Sequence, residues 1–186
     1  MASEPVTLLT FTELYAMLEA NPDETRRHEL IDGVLYVTPP PFNVHEWVVG
    51  EVFAALREHA IANGGMALPG GGVYYDEYNY VVPDAQYTRA EHLDRVTARY
   101  TEAAPDLAVE VSSKSTRRRD LGVKRALYER TGVAEYWFVD LRDHWVLVHR
   151  RDPGFDQPLR LGTGGTLTSP VLPGFALPVA DLQPPF

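Results

Sequence analysis

Two carboxylates sit where a sequence ordinarily places apolar side chains. Asp84 follows Tyr80-Val81-Val82-Pro83, and Glu110 lies between valines in Leu107-Ala108-Val109-Glu110-Val111-Ser112. A charged oxygen in such surroundings is costly to desolvate unless it is paired or holds a cation. Two acids on neighbouring strands, completed by waters and a phosphate, suit a hard divalent cation such as Mg²⁺ or Mn²⁺. A third acid, Glu29, stands at the start of an early hairpin. The alternative is a solvated face of an antiparallel sheet, where acids need no special role. Asp106 ranks lower, because it stands where a loop ends and a strand begins.

A lysine raises the same question on a helix. With Thr116 to Thr131 advancing about 100° per residue, Leu121, Leu127, Tyr128 and Thr131 gather on one side. Lys124 and Asp120 fall inside that sector, opposite Arg118, Gly122, Arg125 and Glu129. Lys124 is then either a snorkelling lysine or an i,i+4 partner of Asp120, or an ammonium facing Asp84 and Glu110. In the last case it would orient a water or offset charge on a phosphate. Just before it, Lys114, Arg117, Arg118 and Arg119 form the only dense basic run. The helix dipole does not explain that run, since it favours acids at an N-terminus. The run is either a solvated helix start or a place for a phosphate-rich ligand. His45, near the start of another helix, either touches a phosphate or caps a turn.

The rest of the chain narrows the classes. Its 186 residues carry a formal net charge of -9, with 45% hydrophobic and 23% charged residues. That suits one soluble globular domain over residues 1–186, and a nucleic-acid partner would need a local basic patch. With no cysteine, disulfides, thiolate metal sites and a cysteine nucleophile are excluded. There is no HExxH, no GxSxG, and Gly70-Gly71-Gly72 lacks the Lys and Ser/Thr of a phosphate-binding loop. Met1 to Ala20 lacks the basic start and apolar run of a signal peptide, and no run is long enough for a membrane helix, so a cytoplasmic location is expected.

The elements that must position these residues follow from pattern. Thr10 and Glu13 form a capping box for a helix from Thr12 to Ala20. His28 to Val37 is a hairpin turning at Asp32-Gly33. A helix runs from Asn43 to about Ala62, with Val44, Trp47, Val48, Val52, Phe53 and Leu56 as its stripe. Met66 to Tyr75 and Tyr80 to Thr88 read as strands, Ala90 to Ala104 as loop. Leu107 to Ser112 is a strand with Leu107, Val109 and Val111 on the core face. Ala134 to Asp140 and His144 to Arg150 form a pair, and the tail holds two or three short strands. Consecutive strands with few helices predict an α+β class with a mixed sheet. Exposed aromatics in Glu135-Tyr136-Trp137 would suit a homodimer; a buried strand explains them equally well.

Several blocks resemble a known family. Tyr80-Val81-Val82-Pro83-Asp84, Ala104 to Ser112, Arg119-Asp120-Leu121-Gly122-Val123-Lys124 and Gly132 to Asp140 are similar to the Uma-two family of restriction-endonuclease-like proteins, in the PD-(D/E)xK nuclease superfamily. His28 to Gly33 and Leu172-Pro173-Gly174-Phe175 also resemble it. The resemblance implies a restriction-endonuclease-like core, a central mixed sheet flanked by helices, and metal-dependent hydrolysis of phosphodiester bonds, with DNA as the first candidate. It implies Asp84 and Glu110, with the carbonyl of Val111, as ligands of Mg²⁺ or Mn²⁺, and Glu29 as an additional acid. Ser112 stands where the superfamily pattern has its lysine; in this family that lysine looks relocated to the next helix, as Lys124, with Ser112 and Asp120 in support. On that reading Lys124→Ala abolishes cleavage and leaves the fold intact. The competing classes are a catalytically inactive module of the same fold that binds protein or nucleic acid, and an enzyme acting on another phosphorylated substrate.

Overall fold

A computed structural model describes residues 8–185. Residues 1–7, on which part of the reading of the N-terminus rests, lie outside the described residues. No helix among those described is long and apolar enough to cross a membrane.

Local chemistry starts the first elements as expected. Glu13 N–H donates to the Thr10 hydroxyl at 3.2 Å and Thr10 N–H donates to the Glu13 carboxylate at 2.8 Å, opening α1 (Phe11–Glu19). The hairpin of β1 (Arg27–Ile31) and β2 (Val34–Thr38) turns through Asp32 and Gly33, whose φ values are 53° and 74°. Two consecutive positive φ angles give the turn that matches strand twist. Next comes α2 (Asn43–Asn63), whose buried stripe is His45, Val48, Val49, Val52, Leu56 and His59. This corrects the expected stripe. Trp47 is exposed and His45 turns inward.

The two long strands expected between Met66 and Thr88 are each broken in two. They form β3 (Met66–Pro69), β4 (Val73–Asp76), β5 (Asn79–Val81) and β6 (Ala85–Thr88). The breaks fall at Gly70-Gly71-Gly72 and at Val82-Pro83-Asp84, where the chain passes between two sheets. Gly70 N–H donates to the Asp84 carbonyl at 3.0 Å, so the two crossings lie side by side. A Cβ at Gly72 would stand 2.2 Å from the Tyr80 hydroxyl, which explains glycine at that crossing.

The remaining strands complete the sheets. They are β7 (Thr101–Glu102), β8 (Leu107–Val111), β9 (Glu135–Asp140), β10 (Trp145–Arg150), β11 (Gly154–Leu161), β12 (Thr166–Ser169) and β13 (Leu172–Pro178). Between β8 and β9 runs a helical segment of α3 (Arg117–Arg119), a π-turn (Asp120–Lys124) and α4 (Arg125–Thr131), stopped by Gly132 at φ 95°. One sheet has the order β2-β1-β5-β4-β7, the second β11-β10-β9-β8-β6-β3, and β12 pairs with β13. The second sheet is mixed, because β8 and β9 run parallel while its other pairs are antiparallel.

Both faces of that mixed sheet are covered. Leu107, Val109, Val111, Trp137 and Val139 pack with Val48, Val52 and Leu56 of α2 and with Phe175 and Leu177 of β13. Ala108, Tyr136 and Phe138 pack on the other face with Leu127 and Tyr128 of α4 and with Val73 and Val81 of the first sheet. A solvated acid-bearing face is therefore ruled out for Glu110. Tyr136 and Trp137 are fully buried, and Trp137 Nε1–H donates to Glu135 at 2.5 Å. The exposed aromatics invoked for a homodimer are thus core residues.

Asp106 anchors the crossover from β6 to β8. Its carboxylate accepts the backbone N–H and the Nε–H of Arg89 at 2.8 and 2.9 Å, and faces His92 Nδ1 at 3.0 Å, fixing the 3₁₀ turn Ala90–Arg95. Burial opposes its ionisation, yet the Arg89 and His92 hydrogen bonds outweigh that and hold its pKa below the ordinary value. A depressed acid stabilises the fold above its unfolded pKa and loses that contribution as pH falls through the folded one. Asp106→Asn should therefore cost about 1–3 kcal/mol in urea unfolding at neutral pH, with the gap to wild type closing under acid. A gap that does not depend on pH would refute the assignment.

Candidate active site

The mid-strand carboxylate of Glu110 is answered from a helix in another layer. Glu110, at the penultimate position of β8, points to the face covered by α4, where Tyr128 donates its hydroxyl to Oε1 at 2.5 Å. Lys124 pairs with the same oxygen and donates to Glu29 Oε1 at 2.7 Å. Glu29 Oε1 also accepts the Val82 N–H at 2.9 Å, and Glu29 Oε2 lies 3.2 Å from Arg119 Nη2. The ammonium of Lys124, 1% exposed, therefore joins a strand of each sheet through a helix.

The π-turn gives the lysine this place. Arg125 N–H reaches back to the Asp120 carbonyl, five residues earlier, which widens one turn of the helix. Such turns recur at functional sites. The i,i+4 pair of Asp120 with Lys124 is not formed; Lys124 goes to Glu29 and Glu110 instead. Asp120 is 1% exposed, and neither of its carboxylate oxygens has a hydrogen-bond partner.

Asp84 sits at the sheet crossing with both oxygens engaged. Oδ1 lies 2.5 Å from Arg27 Nη1, while Oδ2 accepts the Val111 N–H at 2.7 Å and faces His45 Nε2 at 3.2 Å. The inward turn of α2 thus puts His45 on Asp84. Val111, read as a carbonyl ligand, meets Asp84 through its amide. Ser112 lies apart from these contacts, because its hydroxyl accepts the Leu141 N–H at 3.1 Å and ties the end of β8 to the exit of β9.

Electrostatics separates the acids. Burial raises Glu29, but Lys124 and Arg119 outweigh it and the group ends below its ordinary pKa. Asp84 likewise ends lowered, burial being overcome by His45 and Arg27. Burial dominates at Glu110; Lys124 opposes it, Asp84, Asp120 and Glu29 add to it, and the pKa rises to about 8. Asp120 is raised to about 6, mainly by burial. Lys124 is held above its usual value, because Glu110 and Glu29 outweigh its burial. Glu29 has a second cation in Arg119 and a backbone donor in Val82, whereas Glu110 has Lys124 alone as its cation, which leaves Glu110 as the acid least compensated by the protein.

The basic run divides in two. Arg117 pairs with buried Asp140 at 2.8 Å, and Arg119 donates to Thr38 at 2.9 Å besides approaching Glu29. Lys114 and Arg118 are exposed and, with Arg117, Leu121 and Gly122, line an open depression beside the π-turn.

A divalent cation is compatible with the donor chemistry. The acids are all hard oxygen donors, and Glu110 Oε2 takes no protein hydrogen bond, both of its partners using Oε1. Among the described residues no group of three His, Asp or Glu side chains already forms a metal site. Asp84, Glu110 and a backbone carbonyl would be the small protein share that Mg²⁺ commonly uses, waters and phosphate completing it.

Residues 11–180 match the family Uma2, described as "Putative restriction endonuclease". The chain belongs to the Uma2 family. A solved structure with the same fold is that of a "putative nuclease belonging to DUF820" from Anabaena variabilis ATCC 29413. It superposes with a TM-score of 0.77 at 17% identity, covering 96% of this chain and 97% of that one. No curated protein gives a significant match. The α+β architecture, with its mixed sheet between helical layers, is the restriction-endonuclease-like fold shared by this Uma2 protein and its structural relative.

Pattern reading did not find Arg27 or the hydroxyl of Tyr128. Arg27 stands two residues before Glu29 on one strand, so alternation puts both on one face; that spacing was the available signal. Removing Lys124 would leave Glu110 buried with no cation beside it and Glu29 with Arg119 alone. Lys124→Ala therefore tests the fold as well as cleavage. The substitution should lower stability by about 3–5 kcal/mol, read as a drop in the urea midpoint. An unchanged midpoint would mean that the ion pairs do not form in solution.

Proposed function

We propose that this Uma2 protein is a metal-dependent nuclease that hydrolyses phosphodiester bonds of nucleic acid, with DNA as the first candidate. The observation that carries the reading is that Lys124 bridges buried Glu29 and Glu110 while buried Asp84 accepts the N–H of Val111, the residue after Glu110, so that four separate elements of the chain converge. Family membership and the shared fold support the same reaction class.

In this reading Asp84, Glu110 and the Val111 carbonyl hold Mg²⁺ or Mn²⁺. When bound, such an ion supplies Lewis acidity toward water and a phosphoryl oxygen. Val111 N–H and His45 fix the orientation of Asp84. Glu29, held by Val82 and Arg119, fixes Lys124. A lysine ammonium has three N–H donors; Glu29 and Glu110 take two, and the third is the donor available to a phosphoryl oxygen. Lys114 and Arg118, exposed beside the π-turn, would meet flanking phosphates.

The inactive-module reading has its own support in the protein donors that already occupy both Asp84 oxygens. Glu110→Gln separates the two. The amide can still accept from Tyr128 and Lys124, and it replaces an acid whose ionisation burial already disfavours, so melting in chelator should stay close to wild type. Mn²⁺ binding by calorimetry and metal-dependent cleavage of plasmid or single-stranded DNA should both disappear. Wild type that binds no Mn²⁺ would decide for the module.

The exposed cations make a second test. Lys114→Glu combined with Arg118→Glu should weaken DNA binding uniformly across sequences and reduce the salt slope by about two charges' worth. A slope equal to wild type would move the nucleic-acid path elsewhere.

A further inference from the structure

We propose that Arg27 is a built-in competitor for the cation at Asp84, a plug that metal entry must displace; this rests on the metal-dependent reading above. The argument begins with the division of labour at Asp84. Oδ2 is committed to the Val111 amide at 2.7 Å and to His45 at 3.2 Å. Both partners are buried, so that oxygen is fixed from inside the fold. Oδ1 is the oxygen left for an external cation, and Arg27 Nη1 covers it at 2.5 Å.

Arg27 is also the cation of the cluster most open to solvent. Its side chain is 27% exposed, against 13% for Arg119 and 1% for Lys124. It stands at the first position of β1, at the end of the strand. Lys124 is enclosed between Glu29 and Glu110. A divalent ion arriving from solvent therefore meets a guanidinium already bonded to its ligand. Exchange costs that charge-assisted bond, so the plug weakens the resting affinity for metal. Displaced, the guanidinium remains at the rim, where its planar fork suits a phosphate.

Calorimetry with Mn²⁺ alone tests this without any turnover. Arg27→Gln removes the charge and leaves Asp84 bonded to Val111 and His45, and a melt in chelator verifies that the variant is folded. It should bind Mn²⁺ on the order of tenfold more tightly than wild type. Arg27→Lys, which keeps a cation there, should stay close to wild type. Arg119→Gln removes an equal charge from Glu29 and should gain much less. An Arg27→Gln variant that binds no more tightly overturns the proposal, and so does an equal gain from Arg119→Gln, which would reveal a general field and no plug. If neither wild type nor Arg27→Gln binds Mn²⁺, the metal reading itself fails and takes the plug with it. In wild-type protein the Arg27 side-chain NMR signal should leave its ion-paired position on addition of Mg²⁺; a signal that stays put also overturns the proposal.

Discussion

A buried ammonium is tolerable only if carboxylates come to it, and the arrangement around Lys124 follows from that constraint. The effective penalty for burying one such ion is several kcal/mol. Lys124 offsets it with Glu29 from the first sheet and Glu110 from the second. Glu29 in turn takes the Val82 N–H, two residues before Asp84, and leans on Arg119. One closed circuit of charge thus fixes the relative positions of β1, the β5–β6 crossing, β8 and the π-turn. None of these elements could shift by a turn or a residue without stranding a charge in the core.

The same circuit explains why the chain changes sheets where it does. Asp84 needs a place from which its side chain can look at the end of β8. Pro83 lacks an N–H and could not serve a central strand, so the crossing ends β5 and begins β6 around it. The glycines at 70–72 let the companion crossing run alongside, bonded to the Asp84 carbonyl. Ladder pairing resumes at Ala85, which faces Val109 on β8, directly before Glu110.

Much of this was legible in the sequence because it rests on short-range rules. The Thr10 capping box, the Asp32-Gly33 turn and the alternation in β8 are local, and each reads correctly. Glu110 and Lys124 were legible as charges set against an apolar pattern. What escaped was non-local. A period-2 pattern through Met66–Tyr75 cannot reveal that the two halves pair with different partners. An ideal helical wheel has no π-turn, so it left a pair of Lys124 with Asp120 open. It also pointed Trp47 inward, whereas packing against the sheet favours His45. Tyr136 and Trp137 looked exposable because a strand buried on both faces has no polar alternation to read. Arg27 was invisible for the opposite reason, since an arginine at a strand start is ordinary until its partner is known.

The departure at Ser112 then has a structural cause. In the superfamily pattern the lysine two residues beyond the second acid shares that acid's strand face. Here β8 ends at Val111, and Ser112 is already spent on the Leu141 N–H, holding the parallel strand β9 at its exit. A lysine at 112 would forfeit that tie. Lys124 instead brings an ammonium to Glu110 from the following helix, through a turn widened by one residue. That turn is the π-turn. Asp120 within it is buried and makes no hydrogen bond, with Arg119 Nε 4.0 Å away. A π-turn and a buried acid without a hydrogen bond, beside a lysine that bridges both sheets, set this helix apart from one built for packing alone.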